Sequence, residues 1–265
     1  MTDPRLTPDP DLITMDEPAR INRPVVDLTR GADGPRDRQL LYGDDVTVLD
    51  RMEAHALVRA RKDGYCGTVS NDCIGPVRQA THIVTARATH AYNAADFKSQ
   101  DRVLLSFGSH LSALSETPTF IETELGFIPR QHVRASDALA TDPAAIAEIF
   151  LGTPYLWGGN SCLGIDCSGL VQAAWLACGL PCPGDSDLQA RQLGARLDEA
   201  TPLRRNDLIF WKGHVALVMD DETLIHANAA HMSVVREPIA VAIERIERQG
   251  EGMPTGKRRE ASLAR

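Results

Sequence analysis

Asp166-Cys167-Ser168-Gly169-Leu170-Val171-Gln172-Ala173-Ala174-Trp175-Leu176-Ala177-Cys178-Gly179-Leu180 runs from a polar turn into an almost unbroken apolar segment. Leu170, Val171, Ala174, Trp175 and Ala177 recur at helical spacing, which predicts a helix buried on most of its sides. Gly179 and Pro181 supply the stop signal, and Asp166 or Ser168 can cap the start. Cys167 then falls in the first turn, where unpaired N–H groups and the helix dipole favour negative charge. A thiolate is expected to form there more readily than in water, where a free thiol has a pKa of about 8.5.

Downstream, Asn206-Asp207-Leu208-Ile209-Phe210-Trp211 reads as a turn entering an apolar strand. Lys212-Gly213 turns into the strand His214–Met219, Asp220-Asp221-Glu222 turns again, and Thr223–Asn228 is the next strand. Alternating turn and strand signals of this kind predict an antiparallel meander. Period-two alternation puts His214 on one face with Ala216 and Val218, and His226 on one face with Asn228. A hairpin can therefore bring His214 beside His226 or Asn228. The set supplies a thiol, a base and a polar group to orient the base, the needs of nucleophilic cysteine catalysis.

Residues 143–235 resemble the NlpC-type (NlpC/P60) family of bacterial cell-wall cysteine peptidases, compact relatives of the papain fold. The resemblance is carried by Pro154-Tyr155-Leu156-Trp157-Gly158-Gly159, Asp166-Cys167-Ser168-Gly169, Asn206–Trp211, Gly213-His214-Val215-Ala216-Leu217 and Ile225-His226-Ala227. Order and spacing fit as well: Trp157 precedes Cys167 by ten positions and His226 follows His214 by twelve. It implies Cys167 as nucleophile, His214 as general base and acid, and His226 as the orienting third residue, with Asn228 kept as a candidate in its place. Asn206 stands where the family usually has Gly; Asn tolerates positive φ better than most residues.

A chain of 265 residues is long for one domain, and its 43% hydrophobic and 24% charged content is ordinary for a globular protein. The net charge of −8 argues against nucleic-acid affinity. No apolar run reaches the length of a membrane span, so no membrane partner is expected. Residues 1–20, rich in proline and polar side chains, are expected to be an extended or flexible leader without a secretory pattern. The six cysteines show no Cys-x-x-Cys spacing, and a cytoplasmic location is the expectation. Cys178 and Cys182 lack the partners of a zinc site, and the reading calls for no metal and no cofactor. Cys162, five residues before Cys167, is a candidate for a regulatory disulfide.

The N-terminal half is rich in short strands and turns in two units of similar length, 24–75 and 82–133, with Gly64-Tyr65 and Gly126-Phe127 in corresponding places. Small barrels explain such units better than a solenoid. They resemble the bacterial SH3-type domains often fused to this peptidase. The fold expected is α+β: a papain-like (NlpC-type) domain over 137–265, with an antiparallel sheet and helices, preceded by SH3-like β-barrels over 21–77 and 78–136. Thr141-Asp142-Pro143 reads as a cap and a first-turn proline, opening a helix with Ile146, Ile149 and Phe150 on one face.

Members that resemble this chain over its whole length are γ-D-glutamyl-L-diamino acid endopeptidases acting on murein peptides with a free N-terminal L-Ala, during wall-peptide recycling. That resemblance implies that Tyr65 and Asp166 hold the substrate amine, that Trp157 walls the cleft, and that Ser168 and Ser186 contact the peptide. Each also has a plainer reading: Asp166 as helix cap, Tyr65 as barrel core, Trp157 packed under the Gly158-Gly159 turn, and Ser186 as cap of a helix over 187–193. Two other functions fit the same motifs, an amidase or acyltransferase of this fold and an inactive wall-peptide-binding protein.

Overall fold

The computed structural model describes residues 3–263. By contact the chain divides into two compact units. The first runs to Ala138 and takes in Asn160–Cys162; the second comprises Leu139–Gly159 and the chain from Leu163 on. Two small barrels share the first unit.

The first barrel is built from β1 (Glu17–Ile21), β2 (Val25–Thr29), β3 (Arg36–Leu41), β4 (Asp45–Arg51), β5 (His55–Ala60), β6 (Cys66–Ser70) and β7 (Ile74–Gly75). They form an antiparallel sheet in the order β3-β2-β6-β5-β4-β1-β7. Alternating positions of β4 and β5, Val46, Val48, Ala56 and Val58, point inward with Ile21, Leu28, Leu40 and Tyr65. The segment expected as a flexible leader is tied to this barrel. Thr14 and Met15 donate to Leu49 O, Cys66 donates to Arg5 O, and β1 pairs with β4. Residues 1 and 2 lie outside the described residues.

The second barrel uses β8 (His82–Val84), β9 (Ala88–Tyr92), β10 (Asp101–Ser106), β11 (His110–Leu111), β12 (Ala113–Glu116), β13 (Phe120–Thr123), β14 (Gly126–Pro129) and β15 (Val133–Ala135). Its sheets run β10-β9-β14-β13-β12 and β11-β8-β15. The core of Val84, Leu105, Leu111, Ile121 and Ile128 also takes in Tyr42 from the first barrel, whose phenol bonds Glu124. Arg20 reaches across to His110 O at 2.9 Å and Ser112 Oγ at 3.1 Å. These bonds fuse the barrels into one unit.

The two Gly-aromatic pairs do different work. Gly64, at φ +77°, sits in an open turn that delivers Tyr65 to the core. Gly126, at φ +122°, lies so close to Tyr92 that a Cβ would stand 2.3 Å from its carbonyl oxygen, and Ile128 rather than Phe127 fills the core.

In the second unit, α1 (Pro143–Glu148), α2 (Cys167–Ala177), α3 (Ser186–Gln192) and α4 (Ile239–Arg248) pack on an antiparallel sheet. The short strands β16 (Asn160–Ser161), which belongs to the first unit, and β17 (Gly164–Ile165) stand outside that sheet, which contains β18 (Ala195–Arg196), β19 (Leu208–Trp211), β20 (His214–Val218), β21 (Thr223–Asn228), β22 (Ser233–Pro238) and β23 (Gly256–Arg259). The order is β18-β23-β19-β20-β21-β22, so the expected meander is present as β19-β20-β21-β22.

Helix α1 departs from its reading. Pro143, Ala144, Ala147 and Phe150 are buried, not Ile146 and Ile149, because small side chains let α1 approach α2. Asp142 holds the cap position without capping. It pairs with Arg205, and the Ala144 N–H is taken by Asn206 Oδ1 at 2.8 Å.

Candidate active site

Helix α2 begins where Asp166 begins it. The Asp166 Oδ1 accepts the Gly169 N–H at 2.6 Å and the Ser168 hydroxyl at 3.0 Å. Its Oδ2 accepts the Gly158 N–H at 3.0 Å. The carboxylate therefore caps the helix and also pins the turn that carries Trp157. That turn needs its glycines: Gly158 has φ +70°, and a Cβ on Gly159 would stand 2.5 Å from Gly164 O. At the far end Gly179, at φ +74°, stops the helix. Ser168 is buried, its hydroxyl on Asp166 and its carbonyl taken by Gln189 Nε2 at 2.9 Å.

Cys167 is buried in the first turn of α2, beside β20. Strands β20 and β21 pair at Leu217↔Ile225 and Val218↔Leu224, so the ladder stops short of the His214–Ala216 backbone. There the backbone N–H of Val215 approaches the thiol and favours its charged form, as do those of Ser168 and Cys167 itself. Burial first, and the Asp166 charge second, outweigh them and push the thiol up to about 12. The expectation of an easily formed thiolate is thus corrected: one turn of helix dipole does not offset full burial beside a carboxylate.

His214 opens β20 opposite Trp211, their rings 5.6 Å apart. Its Nε2 lies 2.9 Å from His226 Nδ1. Burial, then His226 and Arg245, push the His214 imidazole down to about 3, against the pull of Glu237. No hydrogen bond joins Cys167 to His214; the thiol meets the residue next to it in the chain. His226 is the side chain on His214. Asn228 turns elsewhere, its Oδ1 accepting the His231 N–H at 2.9 Å and lying 3.0 Å from His231 Nδ1.

Three residues of this neighbourhood were not singled out by the sequence reading. Glu237 on β22 lies 3.0 Å from His226 Nε2 through Oε2, and Arg245 of α4 clamps the same carboxylate at 2.7 and 2.9 Å. Burial opposes ionisation of Glu237, but the bonds from Arg245 and His226 prevail and hold it down at about 2. Tyr155, half-buried, is near enough to Cys167 and Asp166 that burial first, and then those two groups, push its phenol up. It is a protonated donor at neutral pH. Tyr155 lies within the Pro154–Gly159 segment; Glu237 and Arg245 carry no sequence signal beyond strand alternation and a helix of fitting length.

The remaining site residues are dispersed in character. Trp157 is 71% exposed, so it does not pack under its turn. Ser186 is the first residue of α3, half-exposed, and Asp185 holds the cap position assigned to it. Tyr65 is core in the first barrel, with the Arg38 guanidinium 5.9 Å from its ring centre. All six cysteines are free thiols, so Cys162 carries no disulfide here. Among the described residues no three His, Cys, Asp or Glu side chains gather as a metal site.

Comparison with known proteins adds to this geometry. Residues 152–244 match the NlpC/P60 family, and residues 28–72 match the bacterial dipeptidyl-peptidase Sh3 domain. The chain is 30% identical over 217 residues to dipeptidyl-peptidase 6 of Lysinibacillus sphaericus, covering 72% of this chain and 79% of that protein. It is 31% identical over 224 residues to gamma-D-glutamyl-L-lysine dipeptidyl-peptidase of Bacillus subtilis, covering 74% and 73%. In fold it is similar to the crystal structure of an NlpC/P60 family protein from Bacillus cereus, with TM-score 0.76 and 23% identity over 92% of this chain and 99% of the other.

Proposed function

The chain belongs to the NlpC/P60 family and is a cysteine peptidase acting on peptidoglycan-derived peptides; from that premise we propose that it cleaves the γ-D-glutamyl–diamino acid bond of murein peptides bearing a free N-terminal L-Ala. The observation that carries this reading is the buried Asp166 carboxylate immediately before Cys167. It accepts bonds from Gly158, Gly169 and Ser168, so its oxygens are held in place at the start of the helix that carries Cys167. A substrate ammonium bound there gains a charge-assisted bond. A blocked amine carries no charge and cannot make that bond, which disfavours it. The activity named for two relatives, on gamma-D-glutamyl-L-lysine bonds, supports the same substrate class.

In the reaction, the Cys167 sulfur attacks the γ-carbonyl carbon of D-Glu while His214 accepts the thiol proton. Because thiol and imidazole are both neutral at rest, proton transfer and attack are coupled rather than sequential. The Cys167 N–H and the protonated Tyr155 hydroxyl are the donors for the developing oxyanion. His214 then gives the proton to the departing amine of the diamino acid. Water, deprotonated by His214, cleaves the thioester and releases L-Ala-γ-D-Glu. Trp157, Ser168 and Ser186 contact the peptide, and recycling of released wall peptides in the cytoplasm is the role that goes with this specificity.

Incubation with L-Ala-γ-D-Glu-diaminopimelate and its L-Lys counterpart, each free and N-acetylated, tests the reading by mass spectrometry. Cleavage of a free peptide with at least about a hundredfold preference over its acetylated form is expected. Equal cleavage of both forms overturns the role of the amine. The resemblance also assigns Tyr65 to that amine, and Tyr65→Phe tests it: a rise in KM for the free peptide is expected, and an unchanged KM removes Tyr65 from the list.

A further inference from the structure

Glu237 sits two residues beyond Val235, the partner of His226 across β21 and β22. Opposite residues of an antiparallel pair share a face, and so do residues two apart, so Glu237 is the diagonal neighbour of His226 on its own face. Helix α4 starts right after the following proline and returns over that face, with Ile239, Ala242 and Ile246 packed against Leu224 and Val218. Its last turn delivers Arg245 to the Glu237 carboxylate through two bonds, from Nη2 at 2.7 Å and from Nε at 2.9 Å. The result is an unbroken chain Arg245–Glu237–His226–His214.

We propose that Glu237, clamped by Arg245, is a positioning residue that fixes which nitrogens of His226 and His214 carry protons, and so leaves a bare Nδ1 on His214 to receive the Cys167 proton. An arginine cannot lose its proton here and spends two donors on Glu237, which is therefore an ionised, accepting carboxylate. His226 Nε2, 3.0 Å from Glu237 Oε2, must then carry a hydrogen. In neutral His226 the other nitrogen, Nδ1, has none and accepts. His214 Nε2, 2.9 Å away, must donate to it. Neutral His214 then has its lone pair on Nδ1. Without a fixed acceptor at Glu237, His226 is free to turn its proton to Nδ1, which forces the hydrogen of His214 onto Nδ1, where it cannot take a proton from sulfur. A neutral imidazole alone orients another only as well as its own tautomer is set; here a carboxylate one residue further back sets it.

The inference rests on Cys167 and His214 acting as nucleophile and base, and not on which peptide is cut. Two variants test it. Glu237→Gln keeps the shape and removes the charge. The double variant Glu237→Leu/Arg245→Met removes both partners, which leaves no buried charge behind and preserves folding better than breaking the pair. Nitrogen-15 histidine NMR at neutral pH, assigned with His214→Ala, reads the tautomers directly. Wild type is expected to show His214 protonated on Nε2 alone, and both variants to show a mixture or the Nδ1–H form. Turnover of the γ-D-glutamyl peptide is expected to lose about a hundredfold in kcat with KM little changed, less than the roughly ten-thousandfold loss when a directly orienting carboxylate is neutralised. Iodoacetamide alkylation of Cys167, which needs no peptide, is expected to slow in parallel. A folded variant with the wild-type tautomer overturns the inference whatever its rate, as does a changed tautomer with unchanged alkylation and turnover. Failure of the wild-type enzyme to cut the peptide would count against the substrate assignment alone, since the NMR and alkylation results stand without it.

Discussion

The Asp166 Oδ1 stands 2.6 Å from the Gly169 N–H, so the carboxylate that starts helix α2 is also the charge that opposes ionisation of Cys167. The two effects separate by substitution. Asn keeps the capping oxygen but turns an NH2 group toward the Gly158 N–H, so Asp166→Asn is expected to cost about 1 kcal/mol, less than Asp166→Ala, which removes the cap as well. The same Asn removes the negative charge, and Cys167 is expected to alkylate faster at any given pH. Peptide mapping after iodoacetamide treatment isolates Cys167 from the other thiols. An alkylation profile unmoved by Asp166→Asn would remove the carboxylate from the control of the thiol.

The pH dependence follows from the directions of two shifts. Cys167 is raised to about 12, so its thiolate fraction grows with pH across the whole neutral range, and alkylation is expected to rise about tenfold per pH unit without a plateau near the ordinary thiol value of about 8.5. His214 is lowered to about 3, so it keeps its base lone pair well below the ordinary imidazole value of about 6.5. The acid limb of kcat/KM is expected well below that value, and a limb at 6.5 would show a solvated histidine. Stability follows the same sign. His214 and His226 are both lowered in the folded state, so the unfolded chain binds more protons, and the stability they contribute above about 6.5 is lost as pH falls toward their folded values. Urea titrations at stepped pH check this.

Local signals were legible wherever one element settles its own geometry. The apolar run after Cys167, the glycine stop at Gly179 and the turns at Lys212-Gly213 and Asp220–Glu222 give α2 and the hairpin strands, and with them the His214–His226 pair. What the sequence could not display is competition between neighbours. Asp142 sits at a capping position, but the Ala144 N–H goes to Asn206, sixty-two residues away. The first turn of α2 invites a thiolate, but burial supplied by other elements wins. Glu237 and Arg245 look like ordinary surface residues of a strand and a helix, and only the register between β21 and β22 shows that one faces His226.

Tyr155 offers a test of the oxyanion donors. Its phenol is held protonated by burial and by the nearby Cys167 and Asp166, and its backbone N–H is bonded to Met232 O at 2.9 Å, which fixes the segment independently of the hydroxyl. Tyr155→Phe is therefore expected to fold normally. Loss of one oxyanion donor lowers kcat by about a hundredfold to a thousandfold, and that range is expected here with KM little changed. Wild-type kcat in the phenylalanine variant would leave the backbone N–H of Cys167 as the donor that matters.

Asn206 holds a left-handed conformation at φ +74°, accepts the Ala144 N–H through Oδ1 at 2.8 Å and donates its own N–H to Val218 O at 2.9 Å. Two costs can be told apart at this position. Asn206→Ala keeps a Cβ in left-handed backbone but loses the polar side chain that makes Asn tolerant of it, and also leaves the buried Ala144 N–H without its partner, at about 1–3 kcal/mol. Asn206→Gly avoids the first cost and keeps the second, offset upward by about 0.4–1 kcal/mol of added freedom in the unfolded chain. Alanine is expected to destabilise more than glycine by about 1 kcal/mol, within those ranges. The measurement is clean because the three tryptophans, Trp157, Trp175 and Trp211, all lie in the second unit, so tryptophan fluorescence in urea follows that unit alone. If glycine and alanine cost the same, the backbone conformation of Asn206 is not what selects the residue, and the bond to Ala144 carries the whole effect.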